Sequence, residues 1–306
     1  MTTTFKDTMS HPAPHGHIRR SIIAAGLALA MLLSSCGFAI RLGYNQGSSL
    51  AFRWLDGYAE FDDAQSLAVR TALDDWFAWH RRTQLPDYAD LLAKAGVEMQ
   101  GNLSAERTCA WAHDLRARFD TGLERAMPAL SAILPTLKPA QIAHIEQRNE
   151  KRNGEYRDDF LQRDPAKRRK EAVKREIERA EDLYGRLDAT QRAFVVRHVE
   201  QSPWDGELSY AERLRRQQDA VQAMRRMAAG PATREQAEAE IRAYVQRIDR
   251  SPNEAYRAYA QRLTDHNCEF AAALHNLTSA EQRQRAVKKL RGYEQDARIL
   301  AAEASG

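Results

Sequence analysis

The sequence predicts an all-α protein, a bundle of about nine helices, on three observations. Apolar residues recur at helical spacing along most of the chain, two-residue alternation rich in Val, Ile and Thr is nearly absent, and helix-start signatures repeat. Val69, Leu73, Trp76, Phe77 and His80 fall at i, i+4, i+7, i+8 and i+11, and Ala237, Ile241, Tyr244, Val245 and Ile248 repeat that spacing. Each set lays one apolar stripe along a helix. Trp111, Leu115, Phe119 and Leu123 form a further stripe, as do Tyr256, Tyr259, Leu263, Phe270 and Leu274, and then Ala286, Leu290, Tyr293 and Leu300.

The chain opens on a polar leader ending in Arg19 and Arg20, followed by the uncharged, mostly apolar run Ser21 to Leu33. A basic region, an apolar region of this length and small residues beyond it make a secretory signal. The run is too short to cross a bilayer, which takes about 20 apolar residues. Met9 is a second candidate start, and Ile18-Arg19-Arg20-Ser21 matches a twin-arginine signal poorly. Leu33-Ser34-Ser35-Cys36, which closes the segment, resembles the lipobox of bacterial lipoproteins. The resemblance implies cleavage between Ser35 and Cys36, a diacylated Cys36 thiol and an acylated new amino terminus. Leu33 suits an apolar peptidase pocket, Ser34 and Ser35 are small, and Cys36 supplies the nucleophilic sulfur. An ordinary signal peptide with an incidental cysteine is the alternative. Two or three acyl chains anchor a protein firmly, since each buried CH2 adds about 0.8 kcal/mol. By the sorting rule of Gram-negative lipoproteins, Gly37 after the cysteine favours the outer membrane, with the protein body on its periplasmic face.

Cys36 to Gly306 suffices for one large core or two small domains. Residues 1–35 form the signal peptide in this reading. Residues 36–147 form an amino-terminal helical subdomain, 148–186 a charged hairpin or linker, and 187–306 a carboxy-terminal subdomain that packs on the first. The leader carries Lys6, Arg19 and Arg20 against Asp7, so the formal charge of +4 leaves about +2 for the rest. That near balance gives no reason to expect nucleic acid as a partner, and neither does the compartment. Cys109 and Cys268 remain unmodified, and in an oxidising compartment two buried thiols form a disulfide. The bond would close a loop of about 160 residues, worth very roughly 4 to 5 kcal/mol. Two separate buried thiols are the alternative.

Four helix starts share one plan: Leu137-Lys-Pro-Ala-Gln141, Leu187-Asp-Ala-Thr-Gln191, Leu208-Ser-Tyr-Ala-Glu212 and Leu277-Thr-Ser-Ala-Glu281. They predict caps at Asp188, Ser209 and Thr278, with the Gln or Glu three residues on reaching back to complete a capping box. Lys138 cannot cap this way, although Pro139 suits the first helical position. Breaks are expected at Leu85-Pro86, Gly101-Asn102, Pro128 to Pro139, Asp164-Pro165, Ser202 to Gly206, Gly230-Pro231 and Ser251-Pro252. Arg148 to Asp182 is dense in mixed charge, with pairs such as Glu171 and Arg175 at helical spacing. It is expected to project as a long charged hairpin or to link two bundles.

Catalytic and metal signatures are missing: no His-Glu-x-x-His, Gly-x-Ser-x-Gly, phosphate loop or dinucleotide fingerprint occurs, so no metal or cofactor is expected. His80 and His198 sit on apolar stripes and read as core or rim histidines. His113 and His144 are isolated, and His266 and His275 face different sides of one helix. Asp62-Asp63 and Asp74-Asp75 are neighbours that diverge by about 100°, which suits a solvated face. The most distinctive stretch runs from Tyr44 to Tyr88, and Trp54, Tyr58, Trp79, His80, Arg81 and Arg82 are its candidate interaction surface. The plainer reading is a hairpin whose aromatics plug the bundle, with Arg81 or Arg82 stacked on Trp79.

The lipobox, Tyr44-Asn45, Trp54-Leu55-Asp56-Gly57-Tyr58, Trp79-His80-Arg81-Arg82 and Leu85-Pro86 together resemble a family of proteobacterial lipoproteins known as a domain of unknown function. The resemblance covers most of the chain after Cys36, implies a helical periplasmic protein and brings no activity with it. Leu137 to Gln141 and Leu187 to Gln191 resemble the paired Leu-Thr-x-x-Gln motifs of small periplasmic chaperones of the Spy and CpxP type. The likeness spans residues 137–200 and departs from the motif at Lys138 and Asp188. The function expected is therefore a non-catalytic envelope protein, held to the membrane by acyl chains on Cys36, that binds a protein partner such as another envelope protein or assists envelope maintenance. The alternatives are a holdase for unfolded clients and an envelope hydrolase with an unrecognised site.

Overall fold

The computed structural model describes residues 35–230 and 233–303, with side chains from Ile40 onward. The signal segment with Leu33 and Ser34, and the side chain of Cys36, lie outside the described residues. The chain divides into two units, Met1–Tyr44 and Asn45–Gly306. In the first, the described residues belong to α1 (Ser35–Asn45), which exposes Ile40 and Leu42.

From Asn45 onward the described residues form eleven α-helices. They are α2 (Gly47–Ala59), α3 (Asp63–Trp79), α4 (Leu85–Glu98), α5 (Ala105–Ile133), α6 (Pro139–Phe160), α7 (Pro165–Tyr184), α8 (Ala189–Gln201), α9 (Gly206–Ala228), α10 (Arg234–Asp249), α11 (Glu254–Asn276) and α12 (Ala280–Ala302). No strand occurs among the described residues. The bundle has more helices than the expected nine in part because an unexpected break spans Glu60 to Asp62, where Glu60 is left-handed and Asp62 caps α3.

Two expected breaks fall differently: the one expected over Pro128 to Pro139 is confined to the stretch from Leu134 to Lys138, and the one at Leu85-Pro86 does not interrupt the chain. Pro128 lies inside α5, on its exposed side. A proline there removes one backbone bond and crowds the preceding turn, yet Met127 and Ser131 beside it are 2 % exposed and hold the helix in place. At Leu85-Pro86 a π turn, His80–Gln84, carries α3 directly into α4, so Pro86 stands in the first turn of α4, where a missing donor is tolerated. Two caps also differ by register. Asp205, not Ser209, caps α9, and Ser279, not Thr278, caps α12 with Gln282 completing the box. Asp188 and Gln191 form the expected box.

α5 is the spine, about 44 Å long at 1.5 Å per residue. It packs on α3, α10 and α11, while α4 lies along α12 and α6 lies on α2 and α9. The two charged helices of the middle section take separate partners: α6 those just named, α7 the helices α8 and α12. Cys109 of α5 and Cys268 of α11 are joined by a disulfide, Cα to Cα 5.3 Å, and the Thr108 hydroxyl donates to the Cys268 carbonyl at 2.8 Å. At Gly47 a Cβ would meet the Phe77 ring at 2.5 Å, so α2 can approach α3 this closely only with glycine there.

The stripe on α5 overturns an expectation. Leu115 and Phe119 are 55 % and 62 % exposed, while the buried face carries Thr108, Gly122, Met127 and Ser131. The rotation of α5 is set by the disulfide at Cys109 and by Trp76, whose indole N–H donates to the Gly122 carbonyl at 2.9 Å. Those pins turn the larger apolar side chains outward.

Candidate functional site

The six residues read as one surface fall on two elements. On α2, Phe52 and Ala59 face the core, whereas Leu50 and Trp54, one turn apart, are 48 % and 57 % exposed. The Trp54 ring lies 4.9 Å from that of Tyr58, and the Arg148 guanidinium of α6 stands 5.4 Å from the Tyr58 ring. Trp79 and His80 belong to the junction of α3 and α4. There His80 stacks on Trp76 at 4.7 Å and faces Tyr88 at 5.7 Å, and burial lowers its pKa. The cation over the Trp79 ring is Arg125, at 5.9 Å. Arg81 instead ties the start of the unit to its end: it donates to Asn45 Oδ1 at 2.6 Å and to the Leu300 carbonyl at 3.5 Å, and pairs with Glu303 at 3.4 Å. Arg82 is exposed.

The most concentrated buried charge centres on Glu212, read from the sequence only as the far end of a capping box. Its side chain is 3 % exposed. It accepts from Arg215 Nε and Nη2 at 2.9 and 2.8 Å, from Arg216 Nε at 2.9 Å and from Ser251 Oγ at 3.0 Å. Burial raises its pKa, but these bonds outweigh that and leave it below the ordinary carboxylate range. The same guanidiniums donate onward to the carbonyls of Arg247 and Ile248, the open end of α10. Arg247 in turn forks onto Asp219 at 2.8 Å through both nitrogens. The cluster clamps α9 to the α10–α11 turn, and each carboxylate oxygen is taken up by that task.

Two further polar junctions involve glutamines at helix starts. Gln65 and Gln141 exchange amide bonds at 3.2 and 2.8 Å, and Gln141 also donates to the carbonyls of Ala59 and Glu60. Gln191 and Gln282 do the same at 2.7 and 2.9 Å, with further bonds to the carbonyls of Leu277 and Arg186. Leu137–Gln141 and Leu187–Gln191 therefore do not pair with each other; each meets a different helix start. The signal for the missed partners was present as Asp62-x-x-Gln65 and Ser279-x-x-Gln282, the same capping spacing without the leading Leu.

Three of the histidines take structural contacts. His275 is fully buried; its Nε2 lies 2.8 Å from the Gly101 carbonyl, which can only accept, so Nδ1 accepts from the Tyr184 hydroxyl at 3.0 Å. Burial pushes the Tyr184 phenol up to about 12 and lowers the His275 pKa. His198 stacks between His266 at 4.2 Å and Phe270 at 3.6 Å, and burial, with the His266 charge second, brings it down to about 4. Asp62 acts as a cap: the Gln65 backbone N–H first and Lys138 second hold its pKa low. Asp63, Asp74 and Asp75 are exposed. Among the described residues no group of three or more His, Cys, Asp or Glu is placed to hold a metal ion, and no helix is long and apolar enough to cross a membrane.

A shallow groove of about 540 Å³ runs along the first half of α12 beside Gln100, lined by Arg283, Lys288 and Arg291 over buried Val287. The remaining prominent surface features are large apolar side chains: Leu50 and Trp54 on α2, Leu67 on α3, Val97 on α4, and Leu115 and Phe119 on α5. Against known proteins, the model of one protein family, described as a family of unknown function (DUF6279), matches residues 57–237. No curated protein and no solved structure gives a significant match.

Proposed function

The chain belongs to the DUF6279 family of unknown function, and from that premise we propose that it is a lipid-anchored envelope protein whose helical body binds another protein. The observation that carries the binding role is the outward turn of Leu115 and Phe119, one helical turn apart on the rigidly pinned spine of the bundle. Large apolar side chains left together at a surface mark contact sites. Leu33-Ser34-Ser35-Cys36 behind an apolar run supports acylation at Cys36, and Gly37 supports the outer membrane, with the body in the periplasm. A photo-crosslinking residue placed at Phe119 in cells is expected to give one discrete adduct, absent from the same probe at exposed Lys167. No adduct, or a turnover that depends on a single side chain, would count against the reading.

A holdase role is the second reading. It is favoured by the spread of exposed Leu67, Val97 and Leu277 over separate elements rather than in one patch, which suits weak contact with many unfolded segments. The full chain is then expected to delay aggregation of a denatured client at near-stoichiometric ratio, and no delay sinks this second reading alone.

A further inference from the structure

We propose that the exposed face of α2, formed by Leu50, Arg53 and Trp54, seats in the headgroup region of the membrane that holds the acyl chains; the placement rests on Cys36 being the anchor. Leu50 and Trp54 lie fourteen and eighteen residues after Cys36. At 1.5 Å per residue, a helical path over the first of these intervals spans about 20 Å. The start of α2 therefore lies within about 20 Å of the anchor along such a path, close enough to meet the bilayer where α1 runs along its surface. The opposite face of α2, with Phe52 and Ala59, is already committed to the core, so the outward face is the one available.

The composition of this stretch fits a lipid surface. In a chain with 29 % charged residues, none of the positions from Cys36 to Leu55 is acidic, and the two charges are Arg41 and Arg53. The first carboxylate is Asp56, whose Oδ1 accepts from the Phe61 N–H at 3.0 Å. Trp is favoured where an apolar ring meets headgroups, and an exposed Arg can lay its stem on apolar surface while its guanidinium reaches phosphate. The exposed positions 50, 53, 54 and 57 form one helical face, with Gly57 keeping its far end low.

The test uses the full chain purified from its native membrane, with Cys36 examined by mass spectrometry, and reconstituted in vesicles of phosphatidylethanolamine and phosphatidylglycerol. Half of the vesicles carry lipids brominated near the headgroup. The fluorescence of Trp54 is the difference between wild type and Trp54→Phe, which leaves Trp76, Trp79, Trp111 and Trp204 in place. That component is expected to fall at least twofold in brominated vesicles and to shift to the blue relative to detergent-free aqueous protein. An acylated, vesicle-bound chain whose Trp54 component ignores bromine overturns the placement while leaving the anchor intact. Shielding from aqueous iodide without quenching by bromine also overturns it, in favour of a protein neighbour. A free thiol at Cys36 removes the anchor and the placement with it.

Discussion

Replacing Glu212 by alanine removes the acceptor that two guanidiniums share inside the bundle. Glu212 takes four hydrogen bonds, three of them from guanidiniums, and its side chain is 3 % exposed, against 25 % for Arg215 and 33 % for Arg216. Breaking a buried ion pair from one side costs about 3 to 5 kcal/mol, because the remaining charge stays desolvated. Here both arginines keep a carbonyl of α10, at 3.0 and 3.1 Å, and part of their water, so the loss is reduced to about 2 to 4 kcal/mol. Glu212→Gln keeps the shape but turns an NH2 toward donors, and should lose more than half as much. Changing Glu212, Arg215 and Arg216 to Met together should cost less than Glu212→Ala alone. Urea unfolding of the full chain, followed by circular dichroism, gives each value from the midpoint and slope. Because the folded pKa of Glu212 is depressed, its contribution is complete above the unfolded value and fades as the pH falls through the folded one. The difference between wild type and variant should therefore shrink below about pH 4.5. An alanine variant within about 1 kcal/mol of wild type would refute the clamp as a source of stability.

The Cys109–Cys268 bond closes a loop with a sequence separation of 159. Cys109→Ser with Cys268→Ser should lose up to about 5 kcal/mol in denaturant unfolding, and a loss under about 1 kcal/mol would contradict the chain-entropy account. His198 is held neutral in the folded state, with a pKa of about 4 against 6.5, so stability is lost as the pH falls from 6.5 toward 4. His198→Phe keeps the stack on Phe270 and should flatten that acid limb by on the order of 2 to 3 kcal/mol, whereas an unchanged pH profile would exclude His198 as its source. Gln191→Ala and Gln282→Ala should each cost about 1 to 2 kcal/mol by leaving part-buried partners unpaired. The double variant should cost at least about 1 kcal/mol less than their sum, and strict additivity would mean that the mutual amide bonds contribute nothing.

Helices and their ends were legible along the chain because their causes are local. The stripe Ala237, Ile241, Tyr244, Val245 needs only the helical period, and Ala237 and Ile241 are indeed core. The Asp188–Gln191 box is complete within four residues. The cysteine pair was legible from count and expected compartment. Two caps slipped by one to four residues because Asp205 and Ser279, which accept from the Leu208 and Gln282 N–H groups, are as good capping residues as nearby Ser209 and Thr278, and local sequence does not rank neighbours that closely.

What the chain did not disclose is which way each helix faces and which helix it meets. α5 carries an apolar stripe that any periodicity argument buries, yet Leu115 and Phe119 face outward because Cys109 and Gly122 are pinned to α11 and α3. Gln65 meets Gln141 and Gln191 meets Gln282 across 76 and 91 residues, and Glu212 reaches Ser251 across 39. Such contacts follow from how whole helices settle against each other, a sum over many weak interactions that no window of one helix contains. Helix identity is written in spacing; helix rotation and pairing are settled when the bundle closes.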